Sequence, residues 1–341
     1  MADAVAVFDR TMKSYWLVIG IVCIEFLAGI TRADEPLPRQ WSASIRWEND
    51  TFGGSDRFYT DGVSVSVAHT GRSWLDNVVD KLPWRSERRT IGYDVGQIMV
   101  TPSDTKLPVP DPGDRPYAGL LWAGLSIHSE HDNTYNGLKV ITGVVGPWSL
   151  AKETQCEVHR LIGSGLPQGW DYQLHNEPIL NLVYEHRQRY MIAGDSESFA
   201  VQAIPMANAM LGNVLTQAQV GGQLRIGWRI PNDFGMTLMR GMVHLPPPKH
   251  ESGLSPWKDW GFYVYGGAGG NLIARDITLD GNTWKDSPCV DKEWFVPAAE
   301  VGIAVSSGKF IASFSYVFWG KEFKGQEDYF EFGALTFTWL F

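Results

Sequence analysis

From residue 332 to its end the chain reads FGALTFTWLF. Gly333, Leu335, Phe337, Trp339 and Phe341 fall on one face, and Ala334, Thr336 and Thr338 on the other. This two-residue period belongs to an extended strand with one apolar side. The same alternation sets Phe310, Ala312, Phe314, Tyr316 and Phe318 against Ile311, Ser313, Ser315 and Val317. It sets Leu224, Ile226, Trp228 and Ile230 against Gln223, Arg225, Gly227 and Arg229, and Val63, Val65 and Val67 against Gly62, Ser64 and Ser66. Twelve strands are predicted, over 41–50, 60–70, 89–99, 117–128, 137–147, 177–190, 198–208, 214–230, 259–275, 295–306, 309–320 and 329–341. An even count suits a closed barrel whose apolar face meets lipid and whose polar face lines the interior. A soluble sandwich would put the apolar face in its core instead. The expected fold is therefore all-β, a transmembrane antiparallel β-barrel of twelve strands. One helix is predicted over Ser149–Ile162, in an extracellular connection, with Ser149 as its N-cap and Gly163 as its C-cap.

The N-terminal segment changes this picture only by adding an address. Lys13 precedes an apolar run, Tyr15–Ile30, and Thr31-Arg32-Ala33 precedes Asp34. A basic start, a short apolar stretch and a small residue before an acidic one predict a secretory signal peptide, residues 1–33, cleaved after Ala33. Residues 34–341 are then a single barrel domain of the bacterial outer membrane. Beyond the signal, no stretch approaches the ~20 apolar residues that a membrane helix needs. The final aromatic resembles the terminal signal of outer-membrane barrels, which makes the barrel assembly machinery an expected partner during biogenesis. The formal charge is −9 and the sequence has no long basic run, which argues against nucleic acid as a partner. Glycine is abundant (36) and tryptophan numerous (15), suiting tight turns and interfacial rings. Cys156 and Cys289 remain after the signal. An oxidising periplasm permits a bridge, but two free thiols are the plainer expectation.

Polar chemistry clusters toward one end of the expected barrel. With the N-terminus periplasmic, Glu48-Asn49-Asp50, the run Asp56–Gly62, the run Gly113–Gly119 and the helix bearing His159 all reach the outer rim. Parity points Ser44, Arg46, Glu48 and Asp50 inward, Ile45 and Trp47 outward, and Asn49 nominally outward. It also points Thr60 inward with Gly62, Ser64 and Ser66, so that Asp50 and Thr60 are expected to meet just inside the mouth. Asp114 and Arg115 read equally as a rim ion pair or as residues with a direct catalytic role. Taken alone, a histidine on an extracellular helix is ordinarily a solvated residue, and Asn-Asp is ordinarily a turn signal.

The ordered motifs E-N-D-x-F, D-R-x-Y-T-x-G, T-P-S-D, G-D-R-P-Y-A-G, H-R-x-I-G and L-D-G-N-T, between Trp41 and Phe341, resemble the outer-membrane lipid A 3′-O-deacylase family. The resemblance implies a twelve-stranded barrel that removes the 3′-linked acyloxyacyl chain of lipid A, in lipopolysaccharide, by calcium-dependent hydrolysis. By position it implies His159 as general base, Asn49, Thr60 and Gln155 as further catalytic residues, Asp50 as a Ca2+ ligand and Lys106 as a substrate-binding residue. The best-known member of that family carries an acidic residue six positions after the histidine, where this chain has Gly165. Neutral imidazole suits the base near pH 7, and calcium takes oxygen ligands. Two other readings compete. One is an outer-membrane phospholipase with a Ser-His nucleophile, drawing on Ser103 or Ser164. The other is a non-enzymatic, porin-like barrel. No Gly-x-Ser-x-Gly elbow favours the first.

Overall fold

The computed structural model describes residues 40–53, 58–71, 73–195, 197–237 and 260–341. The expected signal peptide lies outside these residues. The strands are β1 (Trp41–Asn49), β2 (Phe58–Thr70), β3 (Arg88–Thr101), β4 (Ala118–His131), β5 (Thr134–Val145), β6 (Glu177–Gln188), β7 (Tyr190–Gly194), β8 (Phe199–Gly212), β9 (Leu215–Trp228), β10 (Gly261–Asp276), β11 (Phe295–Ser307), β12 (Phe310–Trp319) and β13 (Phe330–Leu340). β7 continues β6 past Arg189, since both pair with β8, and the two count as one staff of the barrel. The result is a closed antiparallel barrel of twelve strands. Each strand pairs with its sequence neighbour, and β1 pairs with β13, from Ser42 opposite Leu340 to Asn49 opposite Gly333.

Alternation decides which side each residue faces. Outward positions carry apolar side chains exposed on the wall, among them Ile45, Trp47, Val63, Val65, Leu224, Ile226, Trp228, Phe337 and Trp339. Inward positions are buried and polar: Arg46 bonds Glu48 at 2.7 Å, Lys139 bonds Asp94 at 2.5 Å, and Arg187 bonds Glu185 at 3.0 Å. Asn208, Gln219 and Asn271 form a chain of amide hydrogen bonds of 2.7 and 2.8 Å. Buried ions of this kind persist because each has a hydrogen-bonded counter-ion. Ile230 departs from the expected alternation. Arg229 takes a left-handed backbone (φ 48°) after β9 ends, and Ile230 turns inward to 2 % exposure.

Among the described residues the lumen is crowded with side chains and returning main chain. Residues 231–237 follow β9 and tuck back into the barrel. Arg187 Nη1 donates to the carbonyls of Phe234 (3.2 Å) and Met236 (2.7 Å), and Arg189 Nη1 to that of Asp233 (2.9 Å). Arg225 pairs with the Asp233 carboxylate, and the Phe234 ring lies 5.4 Å from that of Tyr135. At the opposite end an apolar cluster fills the mouth, including Phe58, Leu174, Ile277, Leu279, Trp319 and Phe323. Arg115, fully buried, reaches Glu322 Oε2 at 2.6 Å and Thr278 Oγ1 at 2.9 Å. The expected Asp114–Arg115 side-chain pair does not form. Asp114 Oδ2 instead accepts from the Ser103 amide (2.7 Å) and hydroxyl (2.5 Å), because Arg115 points into the mouth while Asp114 closes its own loop.

Two outcomes follow for measurement. In a planar bilayer the folded protein is expected to carry no steady ionic current, and porin-like conductance would contradict the crowded lumen. Arg115→Ala removes a buried ion-pair partner of Glu322 and should destabilise the barrel by about 3–5 kcal/mol, seen as earlier loss of the compact gel species on heating in detergent.

Candidate active site on the outer wall of the barrel

The connection after β5 does not stand free above the mouth. Gly146 reverses the chain at φ 94°, where a Cβ would meet the His175 backbone at 2.6 Å. The chain then drops back over the rim. Gln97 Nε2 donates to the Ser149 carbonyl at 2.6 Å. A Cβ on Gly119 would lie 2.3 Å from the Ala151 Cβ. Gln97 and Gly119 both have outward parity, on β3 and β4, so helix α2 (Ala151–Ile162) starts against the outside of the wall. (Helix α1, Asp76–Val79, lies at the other end.) The expected N-cap is displaced. Leu150, left-handed at φ 59°, occupies the cap position, and the Ser149 hydroxyl donates to the Gly146 carbonyl at 2.6 Å. The C-cap is Gly163 as expected, at φ 72°, with its N–H on the His159 carbonyl.

Ala151, Gln155 and His159 succeed one another at every fourth position and form the buried stripe of α2. Gln155 Oε1 accepts from Trp170 Nε1 at 2.6 Å, and the Trp170 ring packs 4.8 Å from that of Tyr117. Gln155 is only 3 % exposed, and its Nε2 has no acceptor within the protein. His159 Nδ1 lies 2.6 Å from the Gly165 carbonyl. A carbonyl only accepts, so Nδ1 carries the hydrogen and the lone pair of the neutral ring sits on Nε2. The main chain at 165 thus does what a side-chain carboxylate would do, which is to fix the tautomer.

Asn49 and Thr60 reach the same outer face. Along one register row Gly333, Asn49, Asp61, Met99 and Gly119 stand side by side on β13, β1, β2, β3 and β4. Asn49 is outward, as expected. Its Oδ1 accepts from the Thr51 amide at 2.8 Å, and its side chain bonds Asp61. Thr60 corrects the inward expectation. A bulge between Tyr59 and Asp61 leaves Thr60 as an extra residue on β2. Tyr59 sends its hydroxyl inward to Glu48 Oε2 at 2.5 Å, whereas Thr60 Oγ1 lies 2.7 Å from Thr101 Oγ1, at an outward position of β3. The expected meeting of Asp50 and Thr60 inside the mouth is therefore replaced by a meeting of Thr60 with Thr101 on the outside. Asp50 opens the 3-10 turn Asp50–Gly53 and is buried at the rim. Lys106 is exposed in the connection after β3, one residue beyond Thr105, whose carbonyl accepts from the Gln168 amide at 2.9 Å.

Asp61 is the residue that sequence reasoning missed. It is an outward carboxylate on a lipid-facing strand, it accepts from Trp47 Nε1 at 3.0 Å, and it stands opposite Asn49. Without the bulge its neighbours could not be read, although an acidic residue at an outward position is itself a signal. A second group of possible ligands, Glu87, His131 and Asp132, lies apart from these residues, next to the β4–β5 turn.

A family profile described as outer membrane protein LpxR matches residues 17–341. The chain belongs to the LpxR family of outer-membrane proteins. Among solved structures, LpxR from Salmonella typhimurium is similar over 88 % of this chain and 100 % of its own, at 21 % identity and a TM-score of 0.69. The β domain of the Bordetella autotransporter BrkA covers 88 % of this chain and 98 % of its own, at 10 % identity and a TM-score of 0.39. No curated protein matches the sequence. The LpxR likeness agrees with the barrel and with an outer-membrane location.

Cys156, on α2, and Cys289 are unbridged. Both should therefore take up an alkylating reagent in the folded protein without reductant. Burial pushes the Cys156 thiol up, so its labelling should be slow near neutral pH and accelerate as the pH rises. An intact mass showing no uptake at either site would indicate a bridge.

Proposed function

We propose that the protein hydrolyses the ester that joins the 3′-linked acyloxyacyl chain to lipid A, with His159 as general base. The observation that carries this reading is the 2.6 Å contact of His159 Nδ1 with the Gly165 carbonyl, on a helix laid against the outside of the wall. A lipid in the outer leaflet reaches such a site laterally, without entering a crowded lumen.

The chemistry follows from the chain's own groups. Nε2 of His159 takes a proton from water as the water oxygen bonds to the acyl carbon. The Gly165 carbonyl holds the imidazolium that forms. Gln155 Nε2, which lacks a protein acceptor, donates to the developing oxyanion, a contribution worth most where water is excluded. Collapse breaks the bond to the sugar oxygen, and His159 returns its proton to that oxygen. Asn49 and Thr60 orient water or ester from the wall. Lys106 meets a phosphate of lipid A as a point charge.

The donors near the rim fit calcium: Asn49, Asp50 and Asp61 offer hard oxygens, with no thiol or imidazole among them. When bound, calcium would supply positive charge against the oxyanion. The phospholipase reading has less support, because the Ser103 hydroxyl is committed to Asp114.

Mass spectrometry of lipid A incubated with the purified barrel tests the reading. Loss of one acyloxyacyl mass is expected with calcium and not with chelator. His159→Ala should lower the rate by about 10²–10⁴-fold, and Gln155→Ala by about 10²–10³-fold. Gly165→Ala should be nearly silent, since a Cβ there meets nothing within 4 Å and the carbonyl remains. Unchanged lipid A under every condition, with folded protein, would refute the reading.

A further inference from the structure

The connection from β2 to β3, at the end of the barrel opposite α2, does not hang free as a turn. Ile91 on β3 and Ile127 on β4 share the outward face of their strands with Val95 and Leu121. Val95 is 50 % and Leu121 39 % exposed, as positions that meet lipid should be, yet Ile91 is 2 % and Ile127 7 % exposed. What covers them is the chain itself. Leu75 and Val79 of the α1 turn pack on them, together with Leu82. The cover continues around the wall. Trp74 Nε1 donates to the Tyr93 hydroxyl at 3.4 Å, on the same outward face of β3. The Ser129 hydroxyl, outward on β4, donates to the Arg85 carbonyl at 3.1 Å. The Trp84 ring stacks 5.8 Å from that of Tyr184, outward on β6. Residues 73–87 therefore form a strap laid over the lipid-facing side of the wall from β3 to β6. With α2 in the outer leaflet, this end is periplasmic.

We infer that this strap lies in the periplasmic leaflet of the outer membrane and holds the phosphate of an anionic phospholipid with Lys81 and Arg85. Three observations choose this occupant. The strap is continuous with the apolar outer wall, so lipid surrounds it on the side away from the barrel. Its short helix is two-sided across the direction of the wall. At about 100° per residue, taking Leu75 as zero, Trp74 lies near −100° and Val78 near −60°, whereas Asp76 lies near 100° and Asp80 near 140°. The apolar flank is open, with Trp74 71 % and Val78 50 % exposed. An apolar flank beside an acidic one, with tryptophan at the edge, suits a segment lying in a membrane interface. The third observation is charge. Arg88 pairs with Glu130 at 2.8 Å and Arg89 with Asp80 at 2.5 Å. Asp76 accepts from the Ser73 amide at 3.0 Å, and Glu87 lies 3.2 Å from His131. Lys81 and Arg85 are exposed and make no ion pair among the described residues. They are the cations that the strap keeps for a ligand, and lipid phosphate is the anion at that depth.

The strap stands whether or not the barrel hydrolyses an ester, and its test uses the full barrel in two measurements. In the first, Cys156 and Cys289 are replaced by serine and a spin label is placed at Val78→Cys, with Val95→Cys as the lipid-facing reference and Glu327→Cys, exposed in the connection after β12, as the aqueous one. In vesicles of phosphatidylcholine and phosphatidylglycerol, the label at 78 should collide with oxygen in preference to a water-soluble nickel chelate, as the label at 95 does. In the second, native mass spectrometry follows phosphatidylglycerol bound to the barrel in detergent, with phosphatidylcholine as the zwitterionic control. Lys81→Ser and Arg85→Ser should each weaken phosphatidylglycerol binding by about five-fold, from ~1 kcal/mol per cation near an anionic leaflet, and phosphatidylcholine binding should not change. Lys81→Arg with Arg85→Lys should restore it. Lys285→Ser with Lys324→Ser, exposed at the opposite mouth, should have no effect. Heat-modifiable gel mobility confirms that each variant is folded. A label at 78 as open to the nickel chelate as the label at 327 overturns the placement of the strap in the leaflet. Phosphatidylglycerol held as tightly by Lys81→Ser with Arg85→Ser as by the wild type overturns the phosphate site.

Discussion

A strand surrounded by hydrocarbon has no water to receive its N–H and C=O groups, and each one left unpaired costs several kcal/mol. The ladder from β1 to β13 and the join between β6 and β8 meet that demand by closure. Closure in turn divides every strand into a lipid side and a lumen side. The lumen side of this barrel is crowded with buried ions, amides and hydroxyls, and residues 231–237 bond to its arginines. The site proposed for a lipid ester lies instead on the outer wall near the mouth.

The wall has been modified locally to suit that position. One extra residue, Thr60, brings a hydroxyl to the outside of β2 and leaves Asp61 level with Asn49. Gly119 lacks the side chain that would keep a helix at a distance, and the start of α2 rests on it. A bulge and a glycine would ordinarily read as weak points in a strand. In this barrel they decide which groups face each other across the wall.

Gly165 shows a substitution of means. The resemblance on which the site is read leads to the expectation of an acidic side chain at this position, and its absence counts on sequence grounds against catalysis. The backbone carbonyl of the same residue nevertheless meets His159 Nδ1 at 2.6 Å. A neutral acceptor stabilises an imidazolium less than a carboxylate does, because the attraction of opposite charges is missing. It selects the same tautomer, since either group can only accept.

The strand positions, the lipid-facing parity of β9, β12 and β13, the helix on the fifth connection and its glycine cap were legible in the sequence. Each follows from a local rule, the alternation of side chains or the φ of a cap. So was the shared helix face of Gln155 and His159, through their four-residue spacing. The face of Thr60 was not, because one inserted residue reverses parity and leaves no mark in composition. Nor was the place of Asp61 opposite Asn49, the partner of Arg115, or the carbonyl that meets His159. Those depend on which segments lie side by side after closure, and Arg115 meets a carboxylate 207 positions away. Local periodicity determined that a barrel would form and where its strands would run. Only the tertiary structure decided that the lumen would be crowded and the candidate site would lie on the outside.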